Sequence, residues 1–147
     1  MSLFIRESAE ADLPRILAVY RSSGIDDREY PADGEIRAIY GRMKGYPNYR
    51  VFVAEIDGEI RGTFALLIMD NLAHGGKPSA LLEDVAVSAE SQGQGIGKAM
   101  MAFAMEECRR FGCYKLALSS NEKRKDAHRF YENLGFRRHG ISFLIDT

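Results

Sequence analysis

The sequence Gln92-Gly93-Gln94-Gly95-Ile96-Gly97-Lys98 lies between an apolar segment, Leu81 to Val87, and a long amphipathic segment that runs to Phe111. Its glycines allow successive backbone N–H groups to point into one concavity, and the first turn of the following helix adds partial positive charge. This stretch therefore predicts an anion-binding cradle at a strand-to-helix junction, of a kind that suits phosphate.

The spacing within this stretch disfavours two common phosphate-binding motifs. A Walker A loop needs glycine five residues before Gly97 and serine or threonine after Lys98, but Gln92 and Ala99 stand at those positions. The dinucleotide fingerprint needs glycine or alanine three residues after its second glycine, and counting from Gly95 gives Lys98. Nucleotide hydrolysis and nicotinamide binding are therefore disfavoured, and a plain glycine-rich turn remains the structural alternative.

Apolar periodicity around this stretch predicts the element order β-α-α-β-β-β-α-β-α-β. Asp57-Gly58, between two apolar runs, predicts a tight hairpin, and the strand–helix–strand unit from 81 to 119 requires a parallel crossover. Helices are predicted near 13–20, 36–43, 96–111 and 126–134, and strands near 3–6, 51–56, 59–69, 81–87, 115–119, at Phe136 and from Ile141 to Ile145. The pattern indicates a mixed sheet with helices packed on it.

Length and composition limit the classes of partner. The 147 residues fit a single domain spanning 1–147, and 20 Lys+Arg against 21 Asp+Glu give a formal charge of −1. That balance argues against nucleic acid as the partner. No apolar run is long enough to predict a membrane span, and the charged start lacks the apolar core of a signal peptide. Two cysteines are too few for a disulfide scaffold. We therefore expect a soluble, cytoplasmic protein.

The glycine-rich stretch matches the Gln/Arg-x-x-Gly-x-Gly/Ala motif of the GCN5-related N-acetyltransferases, the GNAT superfamily. Residues 82–87 resemble the fourth strand of that family, and Asp12-Leu13 before an apolar helix resembles its usual opening. Asn121, followed by Ala127, Phe130-Tyr131-Glu132 and Leu134-Gly135-Phe136, resembles its C-terminal motif. The resemblance covers nearly the whole chain. It implies an α/β (α+β) fold with a mixed, mostly antiparallel central sheet of six to seven strands and about four flanking helices.

The resemblance implies acetyl-CoA as co-substrate. Backbone N–H groups of residues 93–98 would bind its pyrophosphate, Gln92 would order the loop, and residues 85–87 would hydrogen-bond the pantetheine arm in the manner of an added strand. Asn121 would contact a pantetheine amide, although it also fits a polar loop residue. The residues implied in coenzyme binding are Val85, Ala86, Val87, Gln92, Gly93, Gln94, Gly95, Ile96, Gly97, Lys98, Asn121 and Tyr131.

Acetyl transfer to an amine requires two proton transfers, and the resemblance offers one residue for each. An ordinary lysine-like ammonium has a pKa of about 10.4, so a base must remove its proton before the nitrogen attacks. Glu83 is the candidate base, with a substrate-binding charge or a solvated edge residue as alternatives. Because Glu83 and Asp84 are adjacent, a regular strand would place them on opposite faces unless a bulge intervenes. Tyr131 is the candidate acid for the coenzyme sulfur, with a core aromatic as its alternative.

Two short stretches bear on the acceptor. Residues 82–87 and 112–115 resemble the glucosamine-6-phosphate N-acetyltransferases within the superfamily, so an amino-sugar phosphate is one hypothesis among small-molecule amines. Tyrosines and acids between positions 26 and 49, Tyr40 among them, lie where the family builds acceptor walls, and a solvated loop is the alternative interpretation. A non-catalytic acyl-CoA sensor and a protein N-terminal or lysine acetyltransferase are the alternatives. The histidines lack the spacing of metal ligands, and a homodimer stays open.

Overall fold

The computed structural model describes residues 2–147. They form two compact units, the first ending at Ala117 and the second spanning Leu118–Thr147. Among these residues the first unit contains five strands and three α-helices, and the second contains one α-helix. The elements are β1 (Leu3–Glu7), α1 (Leu13–Ser23), α2 (Asp33–Lys44), β2 (Tyr49–Ile56), β3 (Glu59–Met69), β4 (Ser79–Val87), α3 (Ile96–Arg110), β5 (Leu116–Ala117) and α4 (Lys125–Asn133). That one domain spans 1–147 stays a prediction.

The five strands form one mixed sheet in the order β1-β2-β3-β4-β5. The first three pairings are antiparallel, whereas β4 and β5 run parallel and are joined through α3. This arrangement confirms the predicted mixed, mostly antiparallel sheet with its single parallel crossover.

The tight turn between β2 and β3 forms where Asp57-Gly58 predicts it. Both residues have positive φ, 52° at Asp57 and 82° at Gly58, which the right-handed twist of a two-residue hairpin favours. The ladder that follows sets Val53 opposite Thr63 and Phe52 opposite Phe64.

The sheet buries both faces because its middle strands are apolar at successive positions. On one face Val53 and Ala65 pack with Ile16 and Val19 of α1. Neighbouring residues of a strand point to opposite faces. On the other face, the centroid of the Phe52 ring lies 5.1 Å from that of Phe103 in α3. The largest fully buried side chains are Phe64, Leu66, Leu82, Ile96, Met100, Met101, Val53 and Thr63.

Close packing of α3 on β3 depends on a glycine. A Cβ at Gly62 would lie 2.8 Å from the Met100 sulfur and 3.1 Å from Cγ2 of Ile96. Both side chains are fully buried, so neither can move aside into solvent. Gly62 therefore sets the distance between the sheet and the helix that begins at the glycine-rich stretch.

We expect Gly62→Ala to lower the free energy of unfolding by about 1–3 kcal/mol, because the added methyl overpacks the α3–β3 contact. Gly41→Ala is the matched control. Gly41 lies inside α2 with no atom near its Cβ position, so alanine should stabilise the chain there by about 1 kcal/mol. Chemical denaturation measures both, and equal stability of Gly62→Ala and the wild type would contradict the packing argument.

The expected strand count of six to seven is wrong for the described residues, which contain five strands. The strand predicted over 115–119 is limited to Leu116–Ala117, and no strand forms at Phe136 or over 141–145. The side chains of Ile141, Phe143, Leu144 and Ile145 are exposed instead. An apolar run predicts the capacity to form a strand, but a strand also needs a neighbour with which to hydrogen bond.

Asp12 precedes α1, but its carboxylate does not cap that helix. It accepts two hydrogen bonds from Arg6, at 2.7 and 3.0 Å, and one from the N–H of Ala9. These bonds hold the pKa of Asp12 below its usual range, the Arg6 bonds contributing most. Arg6 also binds Glu55 of β2, so the guanidinium ties the start of α1 to the sheet.

In the part of the chain that the structure describes, no helix is both long enough and apolar enough to cross a membrane. Residues 2–147 also bring no three His, Cys, Asp or Glu side chains together as a metal site. The cytoplasmic location and the lack of a metal stay predictions.

Candidate active site

The glycine-rich stretch forms an open loop that leads into α3. Gly93 and Gly95 have φ of 79° and 85°, in the left-handed region that favours glycine. Among the described residues, the backbone N–H groups of 93–98 make no hydrogen bond, and the first one in the helix runs from Ala99 N–H to the Gly95 carbonyl at 3.1 Å. A Cβ at either glycine would meet no atom within 4 Å. The loop thus offers free donors and open space to an anion at a helix N-terminus.

Two glutamine side chains hold this loop to the chain before it, one to the end of β4 and one to the turn that follows β4. Nε2 of Gln92 donates to the Val87 carbonyl at 3.1 Å, and Nε2 of Gln94 donates to the Glu90 carbonyl at 3.4 Å. Both glutamines are otherwise exposed. The side chain of Gln92 therefore joins the cradle to the strand that precedes it.

The second half of β4 has a free edge. The ladder between β4 and β5 includes only Ala80 and Leu81 of β4, while the ladder with β3 continues to Val87. Beyond Leu81, β4 is thus paired along one side only within the described sheet. Unpaired N–H and C=O groups at such an edge can bind an extended ligand as an added strand would. That residues 85–87 hold the pantetheine arm stays a prediction.

A β-bulge interrupts β4 at the two adjacent carboxylates. Ala65 of β3 lies opposite Glu83, and Thr63 lies opposite Ala86, so Asp84 and Val85 together face a single residue of β3. Asp84 has φ of 53°, an uncommon left-handed conformation for a residue other than glycine. Both Glu83 and Asp84 are exposed, so the alternation of a regular strand does not separate them.

A neighbouring carboxylate adds to the cost of ionising each of the two acids at the bulge. Partial desolvation and then the charge of Asp84 raise the pKa of Glu83 above its usual range. Desolvation and then the charge of Asp26 raise the pKa of Asp84. A glutamate whose pKa lies closer to neutrality is a better acceptor for a substrate proton than an ordinary one.

Three tyrosines from separate parts of the chain lie near enough to Asp84 to sense its charge. Desolvation is the main reason that the pKa values of Tyr20, Tyr30 and Tyr49 are raised, and the negative charge of Asp84 raises each of them further. Tyr20 and Tyr49 both pack against the apolar cluster that includes Ile16 and Val53. The ring of Tyr49 also stacks on that of Tyr46, with 6.0 Å between the ring centroids. The bulge therefore faces aromatic side chains as well as carboxylates.

Tyr40, which the sequence placed among possible acceptor contacts, has a structural role instead. It is buried, and its hydroxyl donates to the Ser8 carbonyl at 2.9 Å and lies 2.9 Å from the Ser8 hydroxyl. These hydrogen bonds attach α2 to the chain after β1.

In the second unit, Tyr131 lies in α4 within a small aromatic group. Its ring meets those of Phe130 and Phe136 edge-on, at 5.2 and 5.6 Å between centroids. Burial raises the pKa of the Tyr131 phenol, against a smaller opposing effect of the Arg124 charge. The phenol therefore keeps its proton at neutral pH, as a general acid must.

Asn121, also in the second unit, is exposed and uses one side-chain atom locally. Its Oδ1 accepts a hydrogen bond from the Lys123 N–H at 2.9 Å, and its carbonyl accepts one from Arg124 N–H at 3.0 Å. The Nδ2 group keeps its donors for a ligand. That Asn121 binds a pantetheine amide stays a prediction.

Two features of the site were not predicted from the sequence as parts of it. Tyr20 continues the apolar stripe of α1, so its pattern is that of a core residue. Asp84 would face away from Glu83 in a regular strand, and the bulge that alters this arises from the pairing with β3. A pair of adjacent acids within an otherwise apolar strand was the available signal.

Comparison with known proteins identifies the family. The Acetyltransferase (GNAT) family profile matches residues 13–136. Glucosamine 6-phosphate N-acetyltransferase of Trypanosoma brucei brucei is 38% identical over 97 residues, and aminoalkylphosphonate N-acetyltransferase of Salmonella typhimurium is 34% identical over 97 residues. A crystal structure of a Trypanosoma brucei acetyltransferase superposes with a TM-score of 0.85 at 30% identity, covering 99% of this chain and 100% of that one.

The two curated relatives match 66% of this chain, and the match covers 64% and 62% of their own lengths, which is less than two thirds. The family profile, by contrast, includes α1, the bulged strand, the cradle and α4 in one continuous match. The chain therefore belongs to the GNAT family of acetyltransferases.

Proposed function

We propose that this chain is an acetyl-CoA-dependent N-acetyltransferase that transfers the acetyl group to a primary amine of a small molecule by direct attack. Glu83 serves as the base and Tyr131 as the acid. The observation that carries the proposal is the bulge in β4, because it exposes Glu83 and Asp84 on the strand whose end leads into the anion cradle.

The cradle and the free edge fit the two ends of the co-substrate. Coenzyme A carries a pyrophosphate, for which the N–H groups of 93–98 are free donors, and an amide-bearing arm, for which the edge at 85–87 offers backbone partners. Acetyl-CoA supplies an acyl group activated as a thioester. In this proposal a backbone N–H of the edge stabilises negative charge on the carbonyl oxygen during attack.

Glu83 makes the amine nucleophilic by accepting its proton. At neutral pH only a small fraction of an amine with a pKa of about 10.4 is unprotonated. The raised pKa of Glu83 reduces the free-energy difference for that transfer. Tyr131, whose phenol stays protonated, donates to the departing sulfur.

The chemistry around the bulge favours an acceptor that arrives as an ammonium ion. Asp84 provides a carboxylate beside Glu83, and the half-buried ring of Tyr49 adds an aromatic side chain of the kind that attracts cations. Two relatives are named for acceptors that combine an amine with a phosphorus oxyanion, glucosamine 6-phosphate and aminoalkylphosphonate. We place such compounds first among the candidate acceptors, ahead of amines without an anion.

Two alternatives use the same cradle. A non-catalytic acyl-CoA sensor would bind the coenzyme but would have no use for a base or an acid. A protein N-terminal or lysine acetyltransferase would use both but would act on a peptide. Glu83 and Asp84 are exposed, so both a small molecule and a peptide can reach them.

One assay separates these functions. Thiol release from acetyl-CoA and acetylated product are measured with glucosamine 6-phosphate, 2-aminoethylphosphonate, 1,4-diaminobutane and a short peptide with a free N-terminus. Amine-dependent release that Glu83→Gln abolishes supports the proposal, and peptide as the preferred acceptor supports the protein-modifying alternative. Tight acetyl-CoA binding by calorimetry without any release supports the sensor. No binding at all would refute the proposed function.

The pH dependence of turnover should report the interaction between the two carboxylates. Glu83 must be unprotonated to act, and the charge of Asp84 raises its pKa. We therefore expect Asp84→Asn to move the acid limb of the kcat profile, measured at saturating acceptor, to lower pH. Glu59→Gln, which removes an exposed negative charge at the β2–β3 turn, should leave the limb in place.

A folding defect would not imitate this result. Because the pKa of Asp84 is raised by folding, its ionisation destabilises the folded chain as pH rises through that pKa. Asp84→Asn, which also tolerates the left-handed backbone, should therefore have a Tm at pH 7 no lower than that of the wild type. An acid limb that stays in place, or moves to higher pH, would contradict the proposed coupling.

A further inference from the structure

The end of α3 holds the two cysteines of the chain in a specific helix-ending geometry. The N–H of Cys113 donates to the Cys108 carbonyl at 2.9 Å, and the N–H of Gly112 donates to the Arg109 carbonyl at 3.1 Å. Gly112 has φ of 72°. These are the two hydrogen bonds and the left-handed residue of a Schellman motif, in which the first and last residues bring their side chains together.

In most such motifs these two positions carry apolar side chains, but here they carry two thiols. Cys108 is the first residue of the motif and Cys113 the last, and both cysteines are free. The backbone that follows Cys113 is also held in place. Tyr114 N–H donates to the Pro78 carbonyl and Ala80 N–H donates to the Lys115 carbonyl, each at 3.0 Å. Neither thiol has a part in the proposed acetyl transfer.

We propose that Cys108 and Cys113 are a modification site at which a hydroperoxide forms an intramolecular disulfide. The Cys113 sulfur, the more exposed of the two, attacks a peroxide oxygen, and the O–O bond breaks to give a sulfenic acid and water. The Cys108 sulfur then attacks the Cys113 sulfur, the S–O bond breaks and a second water leaves. Two thiols lose two electrons, and one hydrogen peroxide becomes two water molecules.

The surroundings of Cys108 and Cys113 keep both residues as protonated thiols under ordinary conditions. Burial raises the pKa of Cys108 to about 12 and raises that of Cys113 as well, so little thiolate is present at neutral pH and attack is slow. In a reducing compartment both residues stay as thiols. The disulfide then forms only under oxidising conditions and links the end of α3 to the segment that leads into β5.

Mass spectrometry of the full-length chain tests this inference without any activity readout. The reduced chain is treated at pH 8.5 with hydrogen peroxide in the presence of dimedone, which traps sulfenic acids, and is then quenched with catalase and alkylated. We expect the mass before alkylation to fall by about 2 Da, both thiols to become resistant to alkylation, and dithiothreitol to restore them. The Tm of the oxidised chain should rise by about 5 °C.

Cys108→Ser is the matched control and should instead carry the dimedone adduct at Cys113, because the resolving thiol is missing. Three outcomes would overturn the inference. The wild type could keep two alkylatable thiols, it could carry mainly the dimedone adduct, or it could form disulfide-linked dimers. Because none of these readouts involves acetyl transfer, the inference stands or falls independently of the proposed function.

Discussion

Replacing Glu83 by glutamine should lower kcat about a hundredfold to a thousandfold, which lies within the range expected when a general base is removed. The amide keeps the size of the side chain and its exposed position in β4 but cannot accept the ammonium proton. The affinity for acetyl-CoA, measured by calorimetry, should stay within about twofold of the wild type, because the cradle and the edge of β4 contribute backbone groups.

The deficit of Glu83→Gln should shrink as the pH approaches the pKa of the acceptor amine, because the unprotonated amine then forms without the enzyme's base. Glu59→Gln makes the same substitution at an exposed glutamate of the β2–β3 turn and should keep wild-type kcat. If Glu83→Gln retains kcat within about threefold of the wild type, Glu83 is not the base and the mechanism fails at its central residue.

The parts of the site predicted from sequence are those fixed by local backbone chemistry. The glycines at 93 and 95 have positive φ, and the free N–H groups follow from a helix that begins immediately after them. The hairpin at 57–58 forms for the same kind of reason, since both residues tolerate the left-handed conformation. In each case a few consecutive residues contain all the information that the local structure requires.

The parts that could not be predicted depend on pairing between distant segments. At the bulge, Asp84 and Val85 both lie opposite the single residue Phe64 of β3. No pattern within β4 specifies that register. Tyr40 has the spacing of a helix residue and the chemistry of an acceptor contact, yet Ser8 binds its hydroxyl. The apolar residues of 141–145 suggest a strand, but their sequence does not specify a neighbour.

Replacing Tyr131 by phenylalanine should lower kcat about tenfold to a hundredfold, less than loss of the base. A thiol with a pKa of about 8.5 is a good leaving group and needs only modest help from an acid. The ring of phenylalanine keeps the edge-on contacts with Phe130 and Phe136, so the Tm should not fall. Acetyl-CoA affinity should change less than kcat, since the coenzyme is proposed to be held mainly by backbone groups of the first unit.

A matched substitution makes the Tyr131 result specific. Tyr114→Phe removes an exposed phenol from a ring that stacks on His74 at 4.5 Å, and it should leave both kcat and acetyl-CoA affinity unchanged. Steady-state kinetics and calorimetry on the two variants separate a proton donor from a ligand contact. Near-wild-type kcat in Tyr131→Phe would remove the phenol from the mechanism, and the departing sulfur would then have to leave as the thiolate or take its proton from water.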